Sequence, residues 1–417
     1  MGNRHRAAFV AAFLGIFLIG ILGFKVWHGM GSSYETVETL SGQEKGAGLV
    51  GEVPEAPEGE GEGASAGGTA SAEASQGESA DVSETPAGET ALPSEESPVP
   101  EPVTLVFAGD VLLSDHVLNA YETGGGITGV VGQGFLDEMQ GADLFVVNEE
   151  FPFSSRGEAA PDKQYTFRLP PERVSIFKEM GIDLVTLANN HALDFGTDAL
   201  VDTLDTLDQA GILHVGAGRN LDEAKEPVIA ELKGMKIGFI GASRVIPETS
   251  WNATSTKPGM LVTYDPALTV QEIEKLDEVC DYVVVYVHWG IERAEHPEEY
   301  QRTMGRQYID AGADLVVGSH PHVLQGIEYY EGKPIVYSLG NFVFGSSIPR
   351  TALLKVVLER EETEELRAGL QLLPGASGAG YTRPLTEEGE RAEFYSYMMG
   401  ISYGVNVDGE GKVLTQQ

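Results

Sequence analysis

Cysteine is nearly absent: Cys280 is the only one in 417 residues. An internal disulfide framework and a cysteine-based zinc cluster are therefore excluded, since each needs more than one thiol. Cys280 stands beside the apolar run Tyr282-Val283-Val284-Val285, which predicts a buried thiol. Basic residues are also scarce, 27 Lys and Arg against 64 Asp and Glu, for a formal charge of −37. A general nucleic-acid binder needs the opposite balance to displace counterions from phosphates. Charge of either sign is missing from Ala7 to Phe24. At about 1.5 Å per residue that stretch is just long enough to cross about 30 Å of hydrocarbon. Arg4 and Arg6 precede it and place its N-terminal side in the cytoplasm. The expectation is a membrane anchor over residues 1–30, in contact with the bilayer, with everything after it extracellular. A cleaved signal peptide is the alternative, although no clear small-x-small cleavage site follows before Lys25-Val26-Trp27.

Residues 31–101 have one aromatic side chain, are dominated by Gly, Ser, Ala, Pro and Glu, and carry sixteen acidic residues and one lysine. Such a composition cannot bury enough apolar area to offset chain entropy, so a disordered, self-repelling linker is predicted. Residues 102–417 remain acidic but are apolar enough for one folded domain; over the whole chain, hydrophobic residues make up 42%. Arg156, Lys163, Arg168 and Arg173 lie in one polar stretch. They are either a local spot for a polyanion or a scattered, solvated set.

From Val103 onward short β-branched runs alternate with helical patterns, which defines an α/β domain. One segment recurs: Gly141-Ala142-Asp143-Leu144, Gly181-Ile182-Asp183-Leu184 and Gly312-Ala313-Asp314-Leu315, with Asp281-Tyr282 as a variant. Each is read as the end of a helix followed by a fully buried strand. Leu200, Leu204 and Leu207 mark one helix face and Gly211 its end, while Pro297 is placed in the first turn of a helix running through Tyr300, Met304 and Tyr308. Ile335 to Ser338 and Leu353 to Leu358 read as further strands. The region from Glu359 to Gln417 carries no chemical motif and is expected to pack against the sheets.

Polar groups follow the apolar runs. Gly109-Asp110 follows Thr104 to Ala108, Asn148-Glu149-Glu150 follows Phe145 to Val147, and Asn189-Asn190-His191 follows Leu184 to Ala188. His288-Trp289-Gly290 and Ser319-His320-Pro321-His322 close the two later runs. Open α/β sheets bind ligands at the carboxyl ends of their strands, so these groups converge if the strands lie side by side. Asp, Glu, Asn and His form an N/O ligand set suited to Mn²⁺, Zn²⁺ or Fe. With a carboxylate able to bridge, two divalent ions roughly 3.5–4 Å apart are expected, an arrangement that polarises a substrate oxygen and activates water for hydrolysis. Taken singly, each group also has a plain reading: a turn for Gly109-Asp110, a hydrogen-bonded loop for Asn189 to His191, a core histidine for His288.

The stretches Phe107 to Val111, Asn148 to Glu150, Ala188 to Gly196, His288 to Glu292, Gly318 to His322 and Tyr337 to Phe342 together resemble the signature series of the CapA family, the poly-γ-glutamate capsule synthesis proteins. That family is similar in turn to calcineurin-like metallophosphoesterases, which implies two packed β-sheets flanked by helices. By this resemblance Asp110 fills a first metal-ligand position, Glu150 the bridging carboxylate and Asn190 the ligand amide. His288, His320 and His322 are the imidazole ligands, and His191 is the general acid or transition-state stabiliser. Arg168 and Asn341 are the candidate substrate contacts. The phosphoesterases open with Asp-x-His where Asp110 is followed by Val111-Leu112, and they carry Asp at the bridging position. The function implied is an anchored envelope protein of capsule assembly, export or processing, with the polymer and membrane synthase subunits as partners. The alternatives are a non-catalytic polymer-binding subunit and a secreted metallophosphoesterase.

Overall fold

The computed structural model describes residues 101–345, 347–361 and 366–416. The predicted anchor, and the predicted linker up to residue 100, lie outside the described residues. Among the described residues no helix is long and apolar enough to cross a membrane.

Numbered along the chain, the first sheet holds β1 (Val103–Val111), β2 (Leu144–Glu149), β3 (Leu184–Thr186), β4 (Leu213–Val215), β13 (Asn341–Val343), β14 (Ile348–Arg360), β15 (Leu366–Gly378) and β16 (Tyr381–Pro384). The second holds β6 (Val228–Leu232), β7 (Met235–Ser243), β9 (Tyr282–His288), β10 (Leu315–Ser319), β11 (Ile327–Tyr330) and β12 (Lys333–Val336). Two small antiparallel pairs complete the set, β5 (Ala217–Gly218) with β8 (Gly259–Met260) and β17 (Val405–Val407) with β18 (Val413–Thr415). The first sheet runs β16-β15-β14-β1-β2-β3-β4, with β13 also paired to β1; the second runs β11-β12-β10-β9-β7-β6. Of the strands that carry the site, β2, β3, β9 and β10 run parallel to their neighbours, and β1 runs parallel to β2 and β13 but antiparallel to β14.

Alternation along each strand sorts the core into layers. Leu105, Phe107 and Val146 of the first sheet meet Phe239, Val284 and Tyr286 of the second in one cluster between the sheets. Val106, Phe145 and Val147 face the opposite way, onto Val117, Phe135, Phe177, Leu200 and Leu204 of the helices outside the first sheet. Val283, Val285 and Val287 do the same toward Ile273, Leu276, Met304 and Tyr308 outside the second. Both faces of each central strand are covered, which is why the strands read as unbroken apolar runs. The chain is thus a mixed α/β protein of two packed sheets flanked by helices.

The recurring aspartate has a physical role that the pattern alone did not reveal. Asp143, Asp183, Asp281 and Asp314 each accept, through a carboxylate oxygen at 2.8 Å, the backbone N–H of a residue on the adjacent strand: Thr104, Phe145, Lys236 and Val283 respectively. Each aspartate also donates its own N–H to the carbonyl of that same residue. A parallel ladder leaves a donor unpaired at its start, and the carboxylate satisfies it.

Three expectations are corrected. Pro297 lies before, not within, the helix Glu299–Asp310; Glu298 is the N-cap and forms a capping box with Gln301. Cys280 is only half-buried, because it follows the exposed end of the helix Ala267–Asp277. The strand expected from Ile335 to Ser338 is β12, which starts earlier and ends at Val336. The helix Gly196–Ala210 does bury Leu200, Leu204 and Leu207 and ends at Gly211 with φ of 74°. In the C-terminal region, the helix Glu388–Ile401 packs Phe394, Tyr395, Met398 and Ile401 into the inter-sheet cluster.

Candidate metal centre

The site begins where β1 changes partner. Residues 103–107 pair with β14, whereas Asp110 and Val111 pair with Asn341 and Val343 of β13. Asp110 is therefore inside the strand, not after it, and its N–H donates to Gly340 O at 2.8 Å. A Cβ on Gly109 would lie 1.8 Å from that same carbonyl oxygen, so the crossing requires glycine. Glu150 is the first residue past β2, and its N–H donates to Val111 O at 3.1 Å. His288 is the last residue of β9, and His320 to His322 leave the end of β10. Their φ values of 97° for His320 and 59° for His322 are left-handed, a cost that functional sites commonly carry.

These residues meet. Glu150, His288 and His320 place ligand atoms within 4.8 Å of one another, and so do Asp110, Glu150 and His322. Glu150 belongs to both groups. Its Oε1 is 3.8 Å from His288 Nε2 and its Oε2 is 3.8 Å from His322 Nδ1, which lies 3.2 Å from Asp110 Oδ2. Asn190 Oδ1 lies 2.8 Å from His288 Nε2. Oxygen ligands thus come from strands of the first sheet and imidazoles from the second.

The donor set fits divalent cations. Asp110 Oδ2, both oxygens of Glu150 and His320 Nδ1 are buried without a hydrogen-bond partner, an arrangement that is unfavourable unless a cation compensates it. Burial, then the neighbouring Asp110 carboxylate, pushes the Glu150 carboxyl well above its usual range. Burial lowers His288 far below the ordinary imidazole value, helped by His320 and His322. Burial likewise lowers His320, to about 4. Both therefore present the neutral imidazoles that metals bind. Burial also works against the charge on His322, but Glu150 and Asp110 outweigh it and raise that group to about 10.

A chain of amides braces the centre. Asn148 Nδ2 donates to Asp110 Oδ1 at 2.8 Å, and Asn189 Nδ2 donates to Asn148 Oδ1 at 3.0 Å and to Glu149 O at 2.7 Å. Asn189 Oδ1 accepts the His191 N–H at 2.9 Å. Asn341 Oδ1 is 2.7 Å from His322 Nδ1, so that candidate substrate contact lies at the centre. Glu149 shares the face of Phe145 and Val147 by alternation, and both its oxygens are buried and unpartnered. Burial holds its carboxyl well above the usual range.

His191 is held from behind. Its Nδ1 is 2.7 Å from Asp194 Oδ2, which also accepts the Phe167 N–H at 2.7 Å, and the Phe167 ring lies over the imidazole with centroids 4.6 Å apart. Lys163 pairs with the other Asp194 oxygen and with Asn190 O, and its Nζ is 5.2 Å from the Trp251 ring centroid. Burial lowers Lys163 below the usual lysine value, against the pull of Asp194. Burial also lowers His191, with Asp194 opposing. With Nδ1 committed to Asp194, Nε2 is the nitrogen left for a substrate.

Lys163, Phe167 and Asp194 are site residues that sequence reasoning missed. The other cations of the polar stretch are engaged elsewhere. Arg156 forks onto Asp202 and Arg173 pairs with Glu122 at 2.8 Å. Arg168 donates to the carbonyls of Arg156 and Gly157 and stacks over Phe195 at 3.9 Å. Among the described residues none of its contacts is to the residues of the centre, and the four do not form a free basic patch.

A two-sheet α/β scaffold that gathers carboxylates from one sheet and imidazoles from the other defines a protein with a candidate divalent-metal centre. Residues 104–346 match the family described as bacterial capsule synthesis protein PGA_cap, and the chain belongs to that family. It is similar to the PGA biosynthesis protein CapA of Bacillus subtilis (strain 168), with 34% identity over 262 residues, 62% of this chain and 68% of that one. It is also similar to the capsule biosynthesis protein CapA of Bacillus anthracis, with 30% identity over 305 residues, 71% of this chain and 72% of that one. Among solved structures, the sulfate thiohydrolase SoxB of Thermus thermophilus aligns at 13% identity and a TM-score of 0.36, over 65% of this chain and 56% of that one. A likeness that loose places no function.

Proposed function

We propose that the protein is an envelope-anchored, metal-dependent hydrolase of capsule polymer synthesis, held by its N-terminal apolar segment with the α/β domain outside the cell. Poly-γ-glutamate, or a similar polymer, is the substrate, and membrane synthase subunits are the partners. The observation that carries the chemistry is Glu150, buried and unpartnered between two imidazole-bearing groups. Asp110, Glu150, Asn190, His288, His320 and His322 would hold one or two divalent ions. A cation there supplies Lewis-acid polarisation of a carbonyl or phosphoryl oxygen.

The rest of the chemistry belongs to the chain. Asp194 fixes the His191 ring through Nδ1, and Phe167 packs on its face, so that Nε2 can take a proton from the attacking water and return it to the leaving group. Asn148 and Asn189 tie the His191 backbone to Asp110, which keeps acid and ligand in register. Elemental analysis of the full-length protein, purified without chelator, tests the reading. About one to two transition-metal equivalents per chain are expected, with a large loss in Glu150→Gln and His320→Ala. A wild-type protein as metal-poor as both variants would falsify the proposal.

A further inference from the structure

A groove of about 440 Å³ opens beside the centre, lined by His322 and Asn341 and, among others, by Arg293, Arg350 and Tyr397. In a chain with 64 acidic residues against 27 basic ones, a cation without a partner is unusual, and Arg293 is one. Its side chain makes no hydrogen bond, ion pair or ring contact among the described residues. Its backbone is left-handed, with φ of 62°, and its N–H donates at 2.7 Å to the carbonyl of Pro321, which separates the two candidate histidine ligands. That bond fixes the root of the side chain against the metal-binding loop. Arg350 lies 4.2 Å over the Tyr397 ring, and its carboxylate contact is a 3.7 Å approach to exposed Glu393. A guanidinium held on an aromatic face is already oriented to fork onto a carboxylate.

We infer that Arg293 and Arg350 form a carboxylate-reading subsite, which aligns the acidic side groups of a polyglutamate-type chain while a neighbouring bond lies at the centre. The inference rests on the function proposed above. Glu292 and Glu295 line the same groove, and Glu295 accepts from the Tyr397 hydroxyl at 3.1 Å. Such alternating charge disfavours a compact polyanion such as phosphate and suits an extended chain with spaced single charges.

The test titrates metal-loaded full-length protein with a short γ-linked glutamate oligomer and, separately, with the neutral γ-linked glutamine oligomer of equal length. The wild type should prefer the glutamate oligomer by at least about tenfold, and high salt should erase the preference. Arg293→Gln and Arg350→Gln should each lose about tenfold for the glutamate oligomer and nothing for the neutral one, with bound metal unchanged as the control for folding. Arg350→Lys should fall between. Variants that bind the glutamate oligomer as tightly as the wild type overturn the subsite and leave the proposed function standing. A wild type that binds neither oligomer overturns the proposed function and the subsite together.

Discussion

Asp194 decides which nitrogen of His191 is free. Its Oδ2 lies 2.7 Å from Nδ1 and its other oxygen is paired with Lys163, so an asparagine would lose the pair and could hold the ring in the wrong tautomer. Asp194→Asn should lower kcat by about 10²-fold with KM nearly unchanged, and should shift the pH profile of kcat. An unaltered profile in a folded, metal-loaded variant would count against His191 as the acid. At this scale the sequence was readable where chemistry stands at or beside a strand end: Asp110, next to the last residue of β1, and Glu150, His288, His320 and His322 all meet. Asp194 left a signal, three residues past His191 in one of the family stretches. Lys163 was legible only as one of four cations in a polar stretch, because the loop between β2 and the next helix has no periodicity to place it beside His191.

Among the elements, β1 is the most constrained, since it pairs with β14 and then with β13 across a glycine contact. Gly109→Ala should destabilise the fold by more than about 4 kcal/mol, because its Cβ would collide with backbone and not with a movable side chain. Gly369→Ala, whose Cβ finds its nearest neighbour at 3.9 Å, should be tolerated; comparable melting temperatures for the two would refute the argument. A second test concerns β11 and the helix Glu299–Asp310. Glu328 accepts from Arg306 Nε at 3.0 Å and from the Tyr337 hydroxyl at 2.7 Å. Burial pushes its carboxyl up, but Tyr337, Arg306 and Arg302 outweigh it and leave it below its usual value of about 4.5. A depressed carboxyl contributes stability above its unfolded pKa and loses it as pH falls through the folded one. Glu328→Gln should therefore cost about 1–3 kcal/mol at neutral pH, a deficit that shrinks below about pH 4.5, measured by denaturant melts across pH. The Gly-x-Asp-Leu segments announced the strand starts correctly, since a buried strand after a helix end is a local property. The length of β1 was not legible, because it depends on β13, more than two hundred residues away in the chain.

For the molecule as a whole, the two sheets meet through the apolar cluster and through polar links that include the Tyr286 hydroxyl donating to Ala108 O at 2.7 Å, Lys233 Nζ donating to Asp143 at 2.7 Å and Arg360 donating to Asp281 at 2.9 Å. The centre adds a second junction, with carboxylates on one side and imidazoles on the other. An ion that binds only the folded form should add about 2.7 kcal/mol at a hundredfold excess over Kd, seen as a melting temperature that climbs with metal concentration and falls on chelation. A melting temperature indifferent to both would disconnect the centre from the fold. The wider consequence is mechanical: sequestering a bound cation should unclasp the rim of the groove while the hydrophobic seam stays shut. Protease nicking of chelated protein should accordingly begin at the loops around Lys163 and Arg293, well before the long hairpin of β14 and β15 yields.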